Sequence, residues 1–429
     1  MKKVLIISYY WPPSGGAGVQ RWLKFAKYLP GFEVDPIILT VDPHYASYPQ
    51  IDESLEKDIP SDLKVYKTRS FEVLGFISEL FGKDKIPYAG FSNVDSNNLF
   101  QVLLRFIRGN FFIPDARKGW NKIAYKKAVE LIRQFDIDTI ITTGPPHSTH
   151  LVGLKLKKLK KVRWIADFRD PWTDIYYYND MLHTPIARKI DRAMEKRVIE
   201  SADNVIAINK SVGKLLMSKT DDADSRRFSI ITNGFDEDDF NFSLSLSEEF
   251  VITYSGTISE KYKPQVFFKV LARIIKLYPD LPLKFRLAGN ISSSIEREIK
   301  EHGLHDIFVY YGYVNHEELA RLLKSSTVLL YAFPETINYR GASGKLFEYL
   351  AAERPVISID STESDASLII EECQAGKSFT REDEEGLFEY LEYLVTLFRK
   401  HGEVRAGNGM HLNYSRKKLT AELARLIKI

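Results

Sequence analysis

The chain has 429 residues, with 60 Lys+Arg against 57 Asp+Glu and a formal net charge of +3. That length predicts two or three domains, and a composition of 44% apolar and 27% charged residues excludes a disordered chain, a collagen and a coiled coil. The near balance of charge gives no case for wholesale nucleic-acid binding, and the single cysteine, Cys373, excludes an internal disulfide and a cysteine-ligated metal cluster and suits a reducing compartment.

Val4–Ser8 reads as a buried parallel strand, a continuous apolar run that stops at Pro12-Pro13. It is too short for a secretory leader, and no small-residue cleavage site follows. No run of about 18 apolar residues predicts a membrane span, so the chain reads as cytoplasmic. After the loop Trp11–Gly18, the segment 19–29 has helical spacing. Val34–Thr40 and Lys64–Thr68 read as strands. Ser70–Gly109, rich in Phe and Leu, breaks the rhythm and reads as an insertion: either helices packed on the sheet or an apolar surface for a lipid-linked partner or membrane. Tyr125–Gln134 is a predicted helix, Thr139–Thr143 and Val162–Ala166 predicted strands, and Ile186–Ser201 a charged amphipathic helix. Val205–Ile208 and Phe228–Ile231 are two more predicted strands. The polar stretch Asp236–Glu249 reads as a linker. The rhythm then restarts with predicted strands at 250–255, 283–288, 307–311, 328–332 and 356–359, and helices at 264–277, 292–302, 317–325 and 344–352. Helices at 387–399 and 415–427 close the chain. Alternating strands and helices predict parallel sheets with helices on both faces, here two doubly wound domains in tandem.

Chemistry-bearing residues gather after strands, where open α/β sheets bind ligands. The loop Pro12-Pro-Ser-Gly-Gly-Ala-Gly18 leads into a helix, so its glycines let backbone approach a ligand; the plainer reading is a structural turn. A dinucleotide site, with Asp42 as the ribose acid, fails on spacing, because Arg21 stands where the third glycine belongs. Asp167, Arg169 and Asp170 crowd one strand end. They either form an internal ion pair or line a cleft that binds sugar hydroxyls and handles an acceptor proton. Tyr176, Tyr177 and Tyr178 follow, as sugar-stacking platforms or as plain packing. His147 and His150 follow another strand as candidate acid/base groups, although two histidines alone are no metal site. Lys155–Arg163 holds six basic residues among nine, a solvated helix face or an attraction for anionic lipid headgroups.

The sharpest signal is the stretch Arg340-Gly-Ala-Ser-Gly-Lys345 and the helix after it. Gly341, Ser343 and Gly344 make a tight entry whose free N–H groups suit a diphosphate. Arg340 and Lys345 add positive charge, and Glu348, in a largely apolar helix, would accept hydrogen bonds from a ribose diol.

These features, with Pro114-Asp115 and Trp120, Gly144-Pro-Pro-His-Ser148, Ala166-Asp-Phe-Arg-Asp-Pro-Trp172, Ile231-Thr-Asn-Gly-Phe-Asp236, Tyr254-Ser-Gly-Thr257, Tyr311-Gly-Tyr-Val314 and Gly344-Lys-Leu-Phe-Glu348, occur in an order that resembles the GT-B fold, family-four retaining glycosyltransferases of the bacterial surface-polysaccharide type. The resemblance implies two Rossmann-like domains facing a cleft: an acceptor-side domain over 1–240, a nucleotide-sugar domain over 241–411, and a last helix, about 412–429, crossing back to the first. It implies that Glu348 holds the ribose, that the loop Gly341–Gly344 sits against the donor, and that Gly15 and Gly16 lie at its phosphates. Two positions depart from the family pattern. Arg340 stands where many relatives carry a second glutamate, and Thr257 replaces an arginine, with Lys261 and Lys263 nearby. Arg340 or Lys345 would then supply the cations for the diphosphate. The implied activity is transfer of a sugar from a nucleotide-diphosphate sugar to a hydroxyl of a glycan or lipid-linked acceptor. It needs no cofactor and no metal, and it takes place in the cytoplasm or at the inner face of the membrane. A nucleotide-sugar 2-epimerase on the same architecture and a non-catalytic sugar-binding protein are the rivals.

Overall fold

The computed structural model describes residues 1–71, 99–159, 162–175, 177–221, 224–244, 248–334 and 341–429. The chain forms two compact units, Met1–Thr232 with Leu419–Ile429, and Asn233–Lys418. The division therefore falls after Thr232 rather than after residue 240. Its physical cause is that Phe235 and Phe240 are buried in the apolar core of the second unit.

The first unit is a seven-stranded sheet in the order β3-β2-β1-β4-β5-β6-β7. Its strands are β1 (Lys2–Ile7), β2 (Val34–Val41), β3 (Lys64–Thr68), β4 (Thr139–Gly144), β5 (Arg163–Phe168), β6 (Asn204–Ala207) and β7 (Phe228–Ile230). Every pairing is parallel. The second unit is a six-stranded parallel sheet in the order β10-β9-β8-β11-β12-β13. Its strands are β8 (Phe250–Ser255), β9 (Leu283–Ala288), β10 (Phe308–Gly312), β11 (Val328–Ala332), β12 (Val356–Ile359) and β13 (Gly376–Phe379). The two expected doubly wound sheets are thus present, and both share one strand order. In each, the first strand lies between the second and the fourth. That reversal opens a crevice at the carboxyl ends of β1 and β4, and likewise of β8 and β11.

The central strands are apolar on both faces because helices cover both. β1 contributes Val4, Leu5, Ile6 and Ile7, all wholly buried. The helix Ala17–Tyr28 lays Trp22, Leu23, Phe25 and Ala26 on it, and Leu419, Leu423 and Ile427 complete the same core. Helix starts are fixed by side chains: Thr184 accepts from Ala187 N ahead of Pro185, Asn209 from Val212 N, and Asn315 from Glu318 N. Helices Ser148–Lys157, Lys210–Met217 and Asp365–Glu372 and strand β13 go beyond the sequence reading. β13 is an edge strand of sequence Gly-Lys-Ser-Phe, half-exposed along most of its length, so it carries no apolar run to detect. The expected insertion Ser70–Gly109 is described only at its ends; helix Leu99–Phe111 includes its last part.

One ion pair ties the first unit together. The Arg21 and Asp167 side chains are both 0% exposed, with Nη2 of Arg21 2.9 Å from Oδ1 of Asp167. Arg21 also donates to the carbonyls of Ile231 (2.9 Å) and Thr232 (2.6 Å). Asp167 further accepts from Trp22 Nε1 at 2.8 Å and from Thr143 Oγ1 at 2.9 Å. Removing one partner strands a buried charge. Arg21→Leu is expected to cost about 3–5 kcal/mol in urea denaturation of the first unit, while the double variant Arg21→Leu/Asp167→Leu loses less. Equal losses in the two would show that the pair is not what holds these strands.

Candidate functional site

In the first unit the loops after β1, β4 and β5 meet at one edge of the sheet. Asp167 is not an accessible catalytic group. It lies wholly inside, and its oxygens are occupied by Arg21, Trp22 and Thr143. Burial opposes its ionisation, but Arg21 outweighs that and holds the carboxyl below the usual range. Its ion-pair partner therefore comes from the first helix and not from the neighbouring Arg169.

Arg169 donates to the carbonyl of Pro145 and covers Gly18, where any Cβ would collide with the guanidinium. A side chain there would have to displace that guanidinium. Asp170 is half-buried, and burial pushes its carboxyl up to about 6 against the pull of Arg169. Among the described residues nothing hydrogen-bonds to that carboxylate. Gly15 donates its N–H to Gln50 O at 3.0 Å. Gly16, exposed at φ +102°, precedes the first helix, which has no side-chain cap; that φ disfavours any residue with a Cβ.

His147 is 9% exposed and stacks on Trp172, with ring centroids 4.9 Å apart. Its Nδ1 is buried without a partner among the described residues. Burial, then His150, Arg169 and Lys219, hold it well below the usual imidazole range. His150 is interior. It shares a 2.8 Å hydrogen bond with Thr142 Oγ1, and burial pushes its pKa down to about 3. Asp115 has a structural use: it accepts from Ser148 N and Ser148 Oγ, both at 2.7 Å, and so caps the helix after β4. A carboxylate already fills that helix start, which leaves no anion site there.

The aromatic segment after β5 turns inward. Trp172 Nε1 donates to Asp191 at 2.8 Å and Tyr178 OH to the same carboxylate at 2.9 Å. Trp172 and Tyr178 are therefore walls rather than open platforms, and Tyr176 lies outside the described residues. Within Lys155–Arg163, Lys157 pairs with Asp203 at 2.6 Å, and Arg163 donates to Leu426 O at 2.7 Å.

In the second unit, three tyrosines pin the loop Gly341–Gly344 and the helix after it to the strand ends. Tyr331 OH accepts from Ser343 N at 3.0 Å. Tyr349 OH accepts from Ser255 N at 2.8 Å. Tyr254 OH donates to Thr257 O at 2.7 Å and accepts from Lys345 Nζ at 2.7 Å. Lys345 sits in an aromatic box, 4.1, 5.5 and 5.6 Å from the ring centroids of Tyr254, Tyr262 and Tyr331. Burial pushes its pKa down to about 7, while Glu348 opposes that shift. The rings also favour the cation, so Lys345 is poised between two charge states.

The helix Gly344–Ala351 starts without a side-chain cap, and Ser343 Oγ is buried without a partner among the described residues. One turn on, burial raises the Glu348 pKa, with His316 opposing. His316 Nδ1 is 3.7 Å from Glu348, and His316 Nε2 is 2.9 Å from Asp239. Among the described residues no hydrogen bond reaches the Glu348 carboxylate. Gly341 is buried at the loop entry. Thr257 is half-buried, and Lys261 and Lys263 are exposed at the turn Glu260–Tyr262. Arg340 lies outside the described residues. A further cation, Arg381, escaped the sequence reading. It follows β13, donates to Phe333 O at 3.0 Å, and keeps Nε buried without a partner among the described residues. Its signal is weak because β13 itself is hard to read. Among the described residues no three His, Cys, Asp or Glu side chains gather as a metal site, and no helix is long and apolar enough to cross a membrane.

Two family models match the chain. "Glycosyl transferases group 1" covers residues 249–396, and "Glycosyltransferase Family 4" covers residues 88–239. No curated protein matches by sequence. Among solved structures, the chain is similar to the lipopolysaccharide outer core galactosyltransferase WaaB, with TM-score 0.58, 13% identity, and 100% of each chain covered. It is similar to S. aureus TarM, solved with UDP and α-GlcNAc-glycerol, with TM-score 0.58, 13% identity, and 100% of this chain and 96% of that one covered. It is also similar to the UDP-GlcNAc 2-epimerase of Methanocaldococcus jannaschii, with TM-score 0.54, 12% identity, and 100% and 99% covered. At such identities these likenesses show the fold alone, and transferases and epimerases share it. The family models separate the two, one on each half: the chain is an enzyme and belongs to the GT-B glycosyltransferases of the family-four type.

Proposed function

We propose that the enzyme moves a sugar from a nucleotide-diphosphate sugar to a hydroxyl of a glycan or lipid-linked acceptor, with retention of configuration and without a metal, in cell-surface polysaccharide synthesis. The observation that carries this reading is the start of helix Gly344–Ala351: an uncapped N-terminus, the unpartnered Ser343 hydroxyl, and Lys345 held in its tyrosine box beside them. Helix N–H groups and a cation are what a departing diphosphate needs as its charge develops. Glu348, without a hydrogen-bond donor in the described residues, accepts from the ribose diol. The lipopolysaccharide galactosyltransferase WaaB and TarM with its α-GlcNAc-glycerol support the acceptor class by analogy only. Retention is a property of the family resemblance.

In the reaction the bond from the anomeric carbon to the diphosphate oxygen breaks, and a bond to the acceptor oxygen forms. The acceptor proton leaves to a base, and Asp170 is the group we assign. It has an open carboxylate with a pKa near 6 at the carboxyl end of β5. Arg169 and His147 line the same edge and orient the acceptor.

Three outcomes test this. Glu348→Gln is expected to raise the donor KM at least about tenfold, since a charge-assisted hydrogen bond is worth roughly 1.5–3 kcal/mol; unchanged donor affinity and turnover would overturn the ribose assignment. Turnover is expected to fall as the medium is acidified through about pH 6, because Asp170 is then protonated and cannot accept. Asp170→Asn should remove that limb and lower kcat about 100-fold or more; a limb that persists in the variant points to another base. Lys345 is largely neutral at pH 8, and a bound diphosphate favours its cation. Calorimetry in buffers of different ionisation enthalpy should therefore show proton uptake on nucleoside diphosphate binding, lost in Lys345→Met. Acceptor-free conversion of the donor to its epimer would overturn the transferase reading as a whole.

A further inference from the structure

Three elements of the second unit bring three titratable side chains together. The helix His316–Lys324 starts at the Asn315 cap, with His316 as its first residue. The turn Glu237–Phe240 carries Asp239, and the helix Gly344–Ala351 carries Glu348. Their spacing is held by packing. Phe240, Ala320, Leu323, Leu346 and Phe347 share one apolar core. Lys324, at the far end of its helix, donates to the carbonyls of Phe240 (2.5 Å) and Phe242 (2.6 Å). The side chains of Asp239, His316 and Glu348 are 18%, 13% and 16% exposed.

The imidazole of His316 lies between two carboxylates. Its Nε2 is 2.9 Å from Oδ2 of Asp239, and its Nδ1 is 3.7 Å from Oε1 of Glu348. A carboxylate offers acceptors only, so the shorter contact takes a ring proton on Nε2. A ring with that proton alone turns a lone pair toward Glu348. A second proton, on Nδ1, makes the contact attractive, and an opposite charge at that range favours an ionised carboxylate. Glu348 needs such a neighbour, because burial works against its charge. His316 is the largest influence in the other direction; Asp239 sides with burial, and Arg416 and Lys345 side with His316.

We propose that His316, braced by Asp239, is the positioning residue of the ribose site: it presents an imidazolium to Glu348 and so sets the charge and the aim of the carboxylate that receives the ribose. The inference rests on the reading that Glu348 accepts from the ribose diol, and it supplies the means by which a buried glutamate does so at neutral pH. An ionised carboxylate accepts from both hydroxyls, whereas a protonated one gives up acceptor capacity and bonds more weakly. His316 acts through Glu348 alone and touches no part of the nucleotide.

The test compares a nucleoside diphosphate with its 2′-deoxy form, by calorimetry on the full chain. The probe is whichever of UDP, GDP, CDP and ADP raises the wild-type melting temperature most. The affinity ratio of the two forms reads the ribose contact by itself, since the diphosphate and Lys345 meet both forms alike. In the wild type the ratio is expected to be at least about tenfold at pH 7. In His316→Gln it should fall at least about threefold at pH 7 and recover toward the wild-type value at about pH 9, as Glu348 ionises without its cation. Unchanged affinity for the 2′-deoxy form shows that the variant is folded. Glu348→Gln should lose the ratio at every pH. With the ratio lost there, three outcomes in His316→Gln overturn the inference alone: an unchanged ratio at pH 7, equal weakening of both nucleotides, or a fallen ratio that does not recover at high pH. A ratio retained in Glu348→Gln overturns the ribose reading itself, and the inference with it.

Discussion

The first unit depends on a buried charge that cannot be left alone. Asp167 ends β5 inside the sheet, where a carboxylate without partners would be strongly disfavoured. Arg21 answers it from the first helix and reaches on to the carbonyls that follow β7. One guanidinium thereby joins the first helix, the middle of the sheet and the exit of the chain toward the second unit. Trp22 and Thr143 close the remaining acceptor sites. The neighbouring Arg169 and Asp170 are then released from holding Asp167 and remain at the edge of the sheet. A rigid interior pair thus sets the positions of two polar groups that the proposed function gives to the acceptor.

The second unit solves a similar problem with neutral groups. Tyr254, Tyr331 and Tyr349 are buried, and each hydroxyl fixes a loop or strand end. Their rings and hydroxyls prepare a place for Lys345, and among the described residues no carboxylate lies at salt-bridge distance from it. A lysine neutralised by a glutamate would have little left for a diphosphate. A lysine held by rings and one hydroxyl is left without a neutralising partner there and can take up its proton when an anion arrives.

How much of this the sequence discloses depends on distance along the chain. β1, the glycine loop, and the helix bearing Glu348 are local patterns, and their spacing carries them. Glu348 stands out because a carboxylate in an apolar helix is unusual within a single turn. Arg21 does not stand out: it sits in an amphipathic helix among Lys24 and Lys27, and its partner is 146 residues away. The box around Lys345 is likewise assembled from three separate strand and loop segments. Asp191 and Glu195 read as ordinary polar positions of a charged helix, and only packing shows that they face inward. The unit boundary misplaced by a few residues has the same origin, since Asp and Asn around Phe235 and Phe240 look like linker while the two phenylalanines are core.

The placement of residues 419–429 has a consequence for how the protein is made. Leu419, Leu423 and Ile427 belong to the core of the first unit, beside Val4 and Trp22. Yet the ribosome delivers them only after the whole second unit. During synthesis the first sheet must wait with part of its apolar face uncovered, while Asn233–Lys418 has every residue it needs to fold as soon as it emerges. The later-made half is therefore placed to mature first, and the earlier-made half keeps apolar surface exposed until its final helix arrives.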